Sequence, residues 1–240
     1  MEAHVVLTKL NMEPTMTGNY LIDNLMGAKI YVVDNNEENE KKAIELENEL
    51  RKKGKNPYRF GVGGSNILGT LGYVNCFKEI LQEEKILGIT FDYIFFSSSS
   101  YGTHSGLIIG NILNERKKKI YGISTSKQFM GEEYSPFNFV NNLVQEFNKM
   151  TNYNLELKKE DFILDLRFSE SGYAVISNED KKGILEFARN EGILVDPVYT
   201  GRAAGGMIEI LRLKEIPEKS NVLFLHTGGG PAIFTDLMKF

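Results

Sequence analysis

The stretch "FFSSSSYGTHSGLIIGN", residues 95–111, poses the central problem of this 240-residue chain. Runs of serine usually form loose linkers. Here an aromatic and aliphatic segment (91–96) leads in, and an apolar, helix-like segment (107–113) leads out. A buried strand that turns into a buried helix would place the small hydroxyls and glycines at the helix start. There the first backbone N–H groups have no partner within the helix and point at an incoming anion. Ser100, Tyr101, Gly102 and Thr103 occupy that turn, ahead of a helix expected from about His104. Small residues allow close approach, and the hydroxyls of Ser100 and Thr103 can donate to phosphate oxygens. The competing reading is plain N-capping of the helix by a serine or threonine.

Spacing narrows the ligand. No Gly-Lys-Ser/Thr follows the turn, so it is not a nucleotide-binding P-loop, and its glycines do not fit the dinucleotide fingerprint. A phosphate held by backbone and hydroxyls, without lysine or metal, suits a single phosphate monoester. Pyridoxal phosphate is one such ligand.

Outward from this turn, strand-like runs at 5–7, 30–33, 93–96, 120–123 and 222–225 alternate with helical patterns near 17–27, 36–53, 66–87, 104–116, 136–150 and 178–192. That alternation predicts an α/β protein with open, mostly parallel sheets and helices on both faces. The helix at 36–53 is highly charged and ends at Gly54 and Pro57, which suggests a smaller domain over 1–58 and a larger one over 59–240. Four glycine- and hydroxyl-rich turns follow strand-like runs: "GVGGSNILGTLGY" (61–73), "SSSSYGTHSG" (97–106), "DPVYTGRAAGG" (196–206) and "HTGGGPAIF" (226–234). Open parallel sheets bind ligands at the carboxyl ends of their strands, where such turns gather. Each has a blander reading. "GRAAGG" could be a helix of small residues packed on the sheet, Tyr173 a loop-packing tyrosine, and Thr227 a partner for backbone groups at a strand end.

Composition sets limits. The chain is 42% apolar and 25% charged with net charge −4, which gives no reason to expect nucleic acid. The three lysines at 117–119 read as a solvated helix end. No apolar run reaches membrane-spanning length. The single Cys76 excludes an internal disulfide and suits a reducing cytoplasm, and its apolar helical setting reads as a buried structural thiol. His4, His104 and His226 lack metal-ligand spacing, so no metal is expected.

Taken in order, "GGSN…LGYV", "SSYGTHSGL", "GYAVISNED", "EGILVDPVYTGRA" and "HTGGGPAIF" resemble one family along nearly the whole chain. It is the D-cysteine desulfhydrase and 1-aminocyclopropane-1-carboxylate deaminase group of pyridoxal-phosphate enzymes, with the tryptophan-synthase-β-like fold. The resemblance implies pyridoxal 5'-phosphate as cofactor and a small amino acid as substrate. It implies that Ser100, Tyr101, Gly102 and Thr103 hold the cofactor phosphate, while Gly63, Gly64, Ser65 and Asn66 line the cofactor face. Tyr173 and Tyr199 match two active-site tyrosines, and Thr200 and Thr227 match positions near the pyridine nitrogen and the substrate. The deaminases usually carry Glu after the tyrosine of "DPVY" and Leu after the last histidine. Thr200 and Thr227 look like the desulfhydrase pattern, whose reaction is β-elimination to pyruvate, ammonia and sulfide. A neutral hydroxyl at the ring nitrogen makes a weaker electron sink than a carboxylate, and loss of a thiol tolerates that. The deaminase activity and a non-catalytic, phosphate-ligand-binding fragment are the alternatives.

One departure stands out. The family's Schiff-base lysine lies in a "GGNK"-type motif, whereas here "GGSN" is followed by Ile67 and no lysine stands in such a motif. The resemblance puts that motif upstream. The expectation is therefore an amino-terminally truncated product, an interrupted reading frame, or half of an enzyme whose amino-terminal segment is separately encoded. The activity of this chain alone stays open. Homodimerisation is expected by resemblance only.

Overall fold

The computed structural model describes residues 1–9, 14–126 and 135–235, so the last five residues of the expected larger domain lie outside it. Two compact units emerge, one built mainly of Met1–Phe60 and the other of Gly61–Ile233.

In the smaller unit, β1 (His4–Thr8) pairs in parallel with β2 (Lys29–Val33), and α1 (Gly18–Leu25) lies between them in the chain. The charged segment forms α2 (Asn36–Lys52). Its start is written in the sequence: Asn35 accepts from the Glu38 N–H, while the Glu38 carboxylate accepts from the Asp34 N–H. Acidic residues in the first turn and Arg51 and Lys52 in the last suit the helix dipole. Asn39 fastens α2 to β1 by donating to the Val6 carbonyl at 3.0 Å.

The larger unit opens with α3 (Ile67–Leu87). It continues through β3 (Tyr93–Ser98), α4 (Gly102–Leu113), β4 (Lys119–Ser124), α5 (Pro136–Thr151) and β5 (Ile163–Asp165). It closes with α6 (Asn178–Glu186), α7 (Thr200–Arg212) and β6 (Val222–Phe224). The sheet order is β5-β4-β3-β6 and every pairing is parallel. Successive residues of β3 point to opposite faces, so both sides of the sheet must be covered. Ile94 and Phe96 pack with Phe77, Leu107, Ile108, Val140 and Phe147 from α3, α4 and α5. Phe95 packs with Ile123 and with Ala203, Met207 and Ile210 of α7. The expected α/β fold with helices on both faces is what the chain forms.

Several local expectations need correction. Lys118 is not at a solvated helix end. It is buried, donates to the Phe91 carbonyl at 3.0 Å and is ion-paired with Glu84 of α3. A buried lysine needs such a partner, and only the fold brings Glu84 to it. The helix expected to 116 stops at Leu113, because Glu115 and Arg116 adopt left-handed φ values of 63° and 54°. The helix expected to 192 is α only to Glu186 and then widens into a π turn over Phe187–Glu191. Strand β5 is only three residues long and was not anticipated. "GRAAGG" is a helix, packed on the sheet. Cys76 is half-buried rather than buried, and that burial raises its thiol pKa.

Candidate active site

Because all four strands of the larger sheet run one way, the turns leaving β3, β4 and β6 share one edge. The turn after β3 is the serine-rich stretch. Tyr101 stands just before α4 with φ 64° and ψ 0°, a left-handed conformation that costs a non-glycine residue about 1–3 kcal/mol. Its buried ring, 6.1 Å from that of Phe139, belongs to the core and holds the turn in place. Among the described residues no side chain caps α4. The N-capping reading of this turn is therefore not realised.

At the same edge of the sheet, where β3 and β4 end, are hydroxyls that the sequence reading passed over. Ser97, Ser99 and Thr125, at the exits of β3 and β4, have buried oxygens with no hydrogen-bond partner among the described residues. A buried hydroxyl left unsatisfied costs about 1–3 kcal/mol, so hydroxyls of this kind suit a ligand. The loop over 63–66 closes on the same turn. Ser65 Oγ donates to Ser100 Oγ at 2.7 Å. Gly63 (φ 66°) sits so close that a Cβ would lie 2.1 Å from Ser100 Oγ, and one on Gly102 would lie 2.8 Å from Ser65 Oγ. Gly63, Ser65, Ser100 and Gly102 thus form one cradle with no room for larger side chains. Thr103 is half-buried in the first turn of α4. Gly64 has open space around it, and Asn66 caps α3 by accepting from the Gly69 N–H at 3.0 Å. Unpaired helix N–H groups, unsatisfied hydroxyls and a glycine cradle are the donor set that a phosphate monoester requires.

The start of α7 is arranged differently. The buried Asp196 carboxylate accepts from the N–H groups of Val198, Tyr199 and Thr200 at 2.8, 2.9 and 2.7 Å, and from the Thr200 hydroxyl at 2.7 Å. Thr200 Oγ1 also accepts from the Asp196 N–H at 2.9 Å and lies 3.5 Å from the Gly228 carbonyl. Its hydroxyl is thereby held in place within the protein. Thr227 is half-buried in the turn after β6. Beside it, His226 Nε2 donates to the Leu194 carbonyl at 2.9 Å while Nδ1 accepts from the Gly228 N–H at 3.3 Å, which fixes one tautomer.

Tyr173 and Tyr199, distant in sequence, meet hydroxyl to hydroxyl, with ring centroids 6.0 Å apart. Burial above all, and then the Tyr173 hydroxyl and Asp196, push the Tyr199 pKa far above the ordinary tyrosine value. Tyr199 therefore keeps its proton at neutral pH. His104 is no candidate for acid–base work. It is wholly buried between Phe96 and Phe162, bonded through Nδ1 to Ser98 Oγ at 3.0 Å, and desolvation lowers its pKa to about 3. No described helix is long and apolar enough to cross a membrane.

Against known proteins, residues 1–228 match the family described as pyridoxal-phosphate dependent enzyme. This chain belongs to that family. It is 36% identical over 227 residues to a Pyrococcus abyssi protein assigned as a 1-aminocyclopropane-1-carboxylate deaminase, covering 94% of this chain and 66% of the relative. It is 33% identical over 217 residues to the D-cysteine desulfhydrase of Yersinia enterocolitica, covering 90% and 64%. A crystal structure of an ACC deaminase homologue superposes with a TM-score of 0.84 at 30% identity, covering 98% of this chain and 68% of that one. The chain thus spans about two thirds of the length of the relatives it matches. The family's cofactor is pyridoxal phosphate, and the uncapped start of α4 with its glycine cradle fits a phosphate group.

Proposed function

We propose that the chain is the cofactor-holding part of a pyridoxal-phosphate-dependent lyase acting on a small β-substituted amino acid, of the D-cysteine desulfhydrase type. The observation that carries the reading is the open start of α4. Among the described residues no side chain caps this helix, the Gly63–Ser65–Ser100–Gly102 cradle closes on its start, and three buried hydroxyls at the same edge of the sheet have no partner. Ser100, Thr103 and the first N–H groups of α4 hold the cofactor phosphate. The cofactor supplies an electron sink for a bond broken at the substrate's α carbon. Tyr199, protonated through the physiological range, is hydrogen-bonded hydroxyl to hydroxyl with Tyr173, and the pair presents a donor to the substrate side. Neutral residues at 200 and 227, rather than a carboxylate at 200, favour thiol elimination over ring opening. The single half-buried thiol Cys76 supports a reducing, cytoplasmic setting.

The second reading is 1-aminocyclopropane-1-carboxylate deaminase, favoured by the name of the archaeal relative. The two separate in one assay. The chain, alone and joined to the lysine-bearing amino-terminal segment of a relative, is supplied with cofactor and with either D-cysteine or 1-aminocyclopropane-1-carboxylate. We expect sulfide from D-cysteine in the joined preparation, well above ammonia release from the cyclopropane. The reverse ranking would establish the deaminase reading, and neither product would overturn both.

A further inference from the structure

Arg202 is the largest of the fully buried side chains, and no step assigned so far uses it. It stands in the first turn of α7, three residues after Tyr199. Its guanidinium has five N–H donors in a rigid fork, and each finds an acceptor. One terminal nitrogen donates to the Thr125 carbonyl at 2.6 Å and the Gly172 carbonyl at 2.9 Å. The other donates to the Val175 carbonyl at 2.6 Å, Ser171 Oγ at 2.9 Å and the Asp180 carboxylate at 3.0 Å. The Nε group faces the same carboxylate at 3.3 Å. Both members of the Arg202–Asp180 pair are 1% exposed.

These contacts bracket Tyr173. Gly172 lies immediately before it and Val175 two residues after, and Arg202 fixes both carbonyls. Between them the chain turns through a positive φ of 95° at Gly172, which glycine adopts freely, and a strained one of 58° at Ala174. A non-glycine residue in that region persists only where its surroundings over-determine it. The same arginine is carried on the helix whose start bears Tyr199. We infer that Arg202 is a positioning residue: it registers the Tyr173 loop against α7 so that the two tyrosine hydroxyls meet. Asp180 neutralises it and anchors it to the start of α6, where the same carboxylate accepts from the Ser177 N–H at 2.8 Å. This inference rests on the reading of Tyr173 and Tyr199 as the substrate-side pair only for its consequence, not for its geometry.

Lysine at 202 keeps the charge for Asp180 and loses the fork, so the loop carbonyls on either side of Tyr173 are released. The Tyr199 hydroxyl, which faces Tyr173 and Asp196, then becomes more exposed and easier to ionise. The test uses the whole chain with tyrosine labelled at the ring carbon bearing oxygen, followed by NMR titration from pH 7 to 11. Tyr199→Phe assigns the signal. In the parent protein the Tyr199 signal should stay flat to pH 11. In folded Arg202→Lys it should titrate with a midpoint near the ordinary tyrosine value of about 10. Ser171→Ala, which removes one uncharged contact, should shift it in the same direction by less, and it decides the matter if Arg202→Lys does not fold. A flat Tyr199 signal in the folded variants would overturn the inference, because a merely structural arginine would cost stability without moving that titration. No cofactor or substrate enters this measurement, so its failure is distinct from failure of the proposed activity.

Discussion

Helices α4 and α7 begin at the same edge of one parallel sheet, yet their first turns are treated in opposite ways. Asp196 fills the start of α7 with an internal carboxylate that takes three backbone N–H groups and one hydroxyl. Among the described residues the start of α4 has no side-chain cap and is closed on by close-fitting glycines. A helix start that brings its own anion is a structural joint. One that lacks an anion, in a buried setting, is a binding site. The contrast is the basis for proposing the phosphate site at α4, with α7 as the support on which Tyr199 and Arg202 stand.

Breaking the closed side should have the largest effect on stability. Asp196→Ala removes charge-assisted bonds to three N–H groups and leaves the Thr200 hydroxyl without its acceptor. We expect a loss of about 3 kcal/mol, or roughly 6–12 °C in Tm by differential scanning calorimetry. A Tm within 2 °C of the parent, on the order of 1 kcal/mol or less, would mean that α7 does not depend on its cap.

The open side should respond in affinity instead. Gly63→Ala drives a methyl group into Ser100 Oγ at a position with φ 66°, so the cradle must shift. We expect pyridoxal-phosphate affinity to fall on the order of thirtyfold by fluorescence titration. Thr103→Val removes one hydroxyl from a charged phosphate, a bond contributing about 1.5–3 kcal/mol, so Kd should rise at least about tenfold. An unchanged Kd would remove Thr103 from the site. The smallest effect belongs to Thr125→Val. Its hydroxyl has no partner among the described residues, so the ligand-free protein should lose nothing, within about 0.5 kcal/mol, whereas the affinity gained from the cofactor should drop severalfold.

How far the sequence carries depends on whether a feature is local. The turn 97–106 was legible because a strand pattern, small residues and a helix pattern are contiguous there. Asn35 and Glu38 likewise announce α2 from within four residues. Strand β5, at three residues, is too short to show a period, whereas the small residues of "GRAAGG" already allowed the helix α7 packed on the sheet. The buried charges were invisible for another reason. Lys118 with Glu84, Arg202 with Asp180, and Asp196 at the head of α7 acquire their roles from partners that only the fold or a tight turn supplies. The hydrogen bond that Thr200 donates to the carboxylate four residues before it belongs to the same class, set by a tight turn.

The most direct test gives α4 what α7 already has. Thr103→Asp places a carboxylate in the first turn of α4, where it can cap the helix and occupy the phosphate position. We expect the ligand-free variant to melt slightly higher than the parent, since an anion near a helix start contributes about 0.3–1 kcal/mol. We expect its pyridoxal-phosphate affinity, measured by fluorescence titration, to fall by a hundredfold or more, from like-charge exclusion and lost donors, on the order of 3 kcal/mol. A variant that binds pyridoxal phosphate as tightly as the parent would contradict the assignment of the phosphate to the open start of α4.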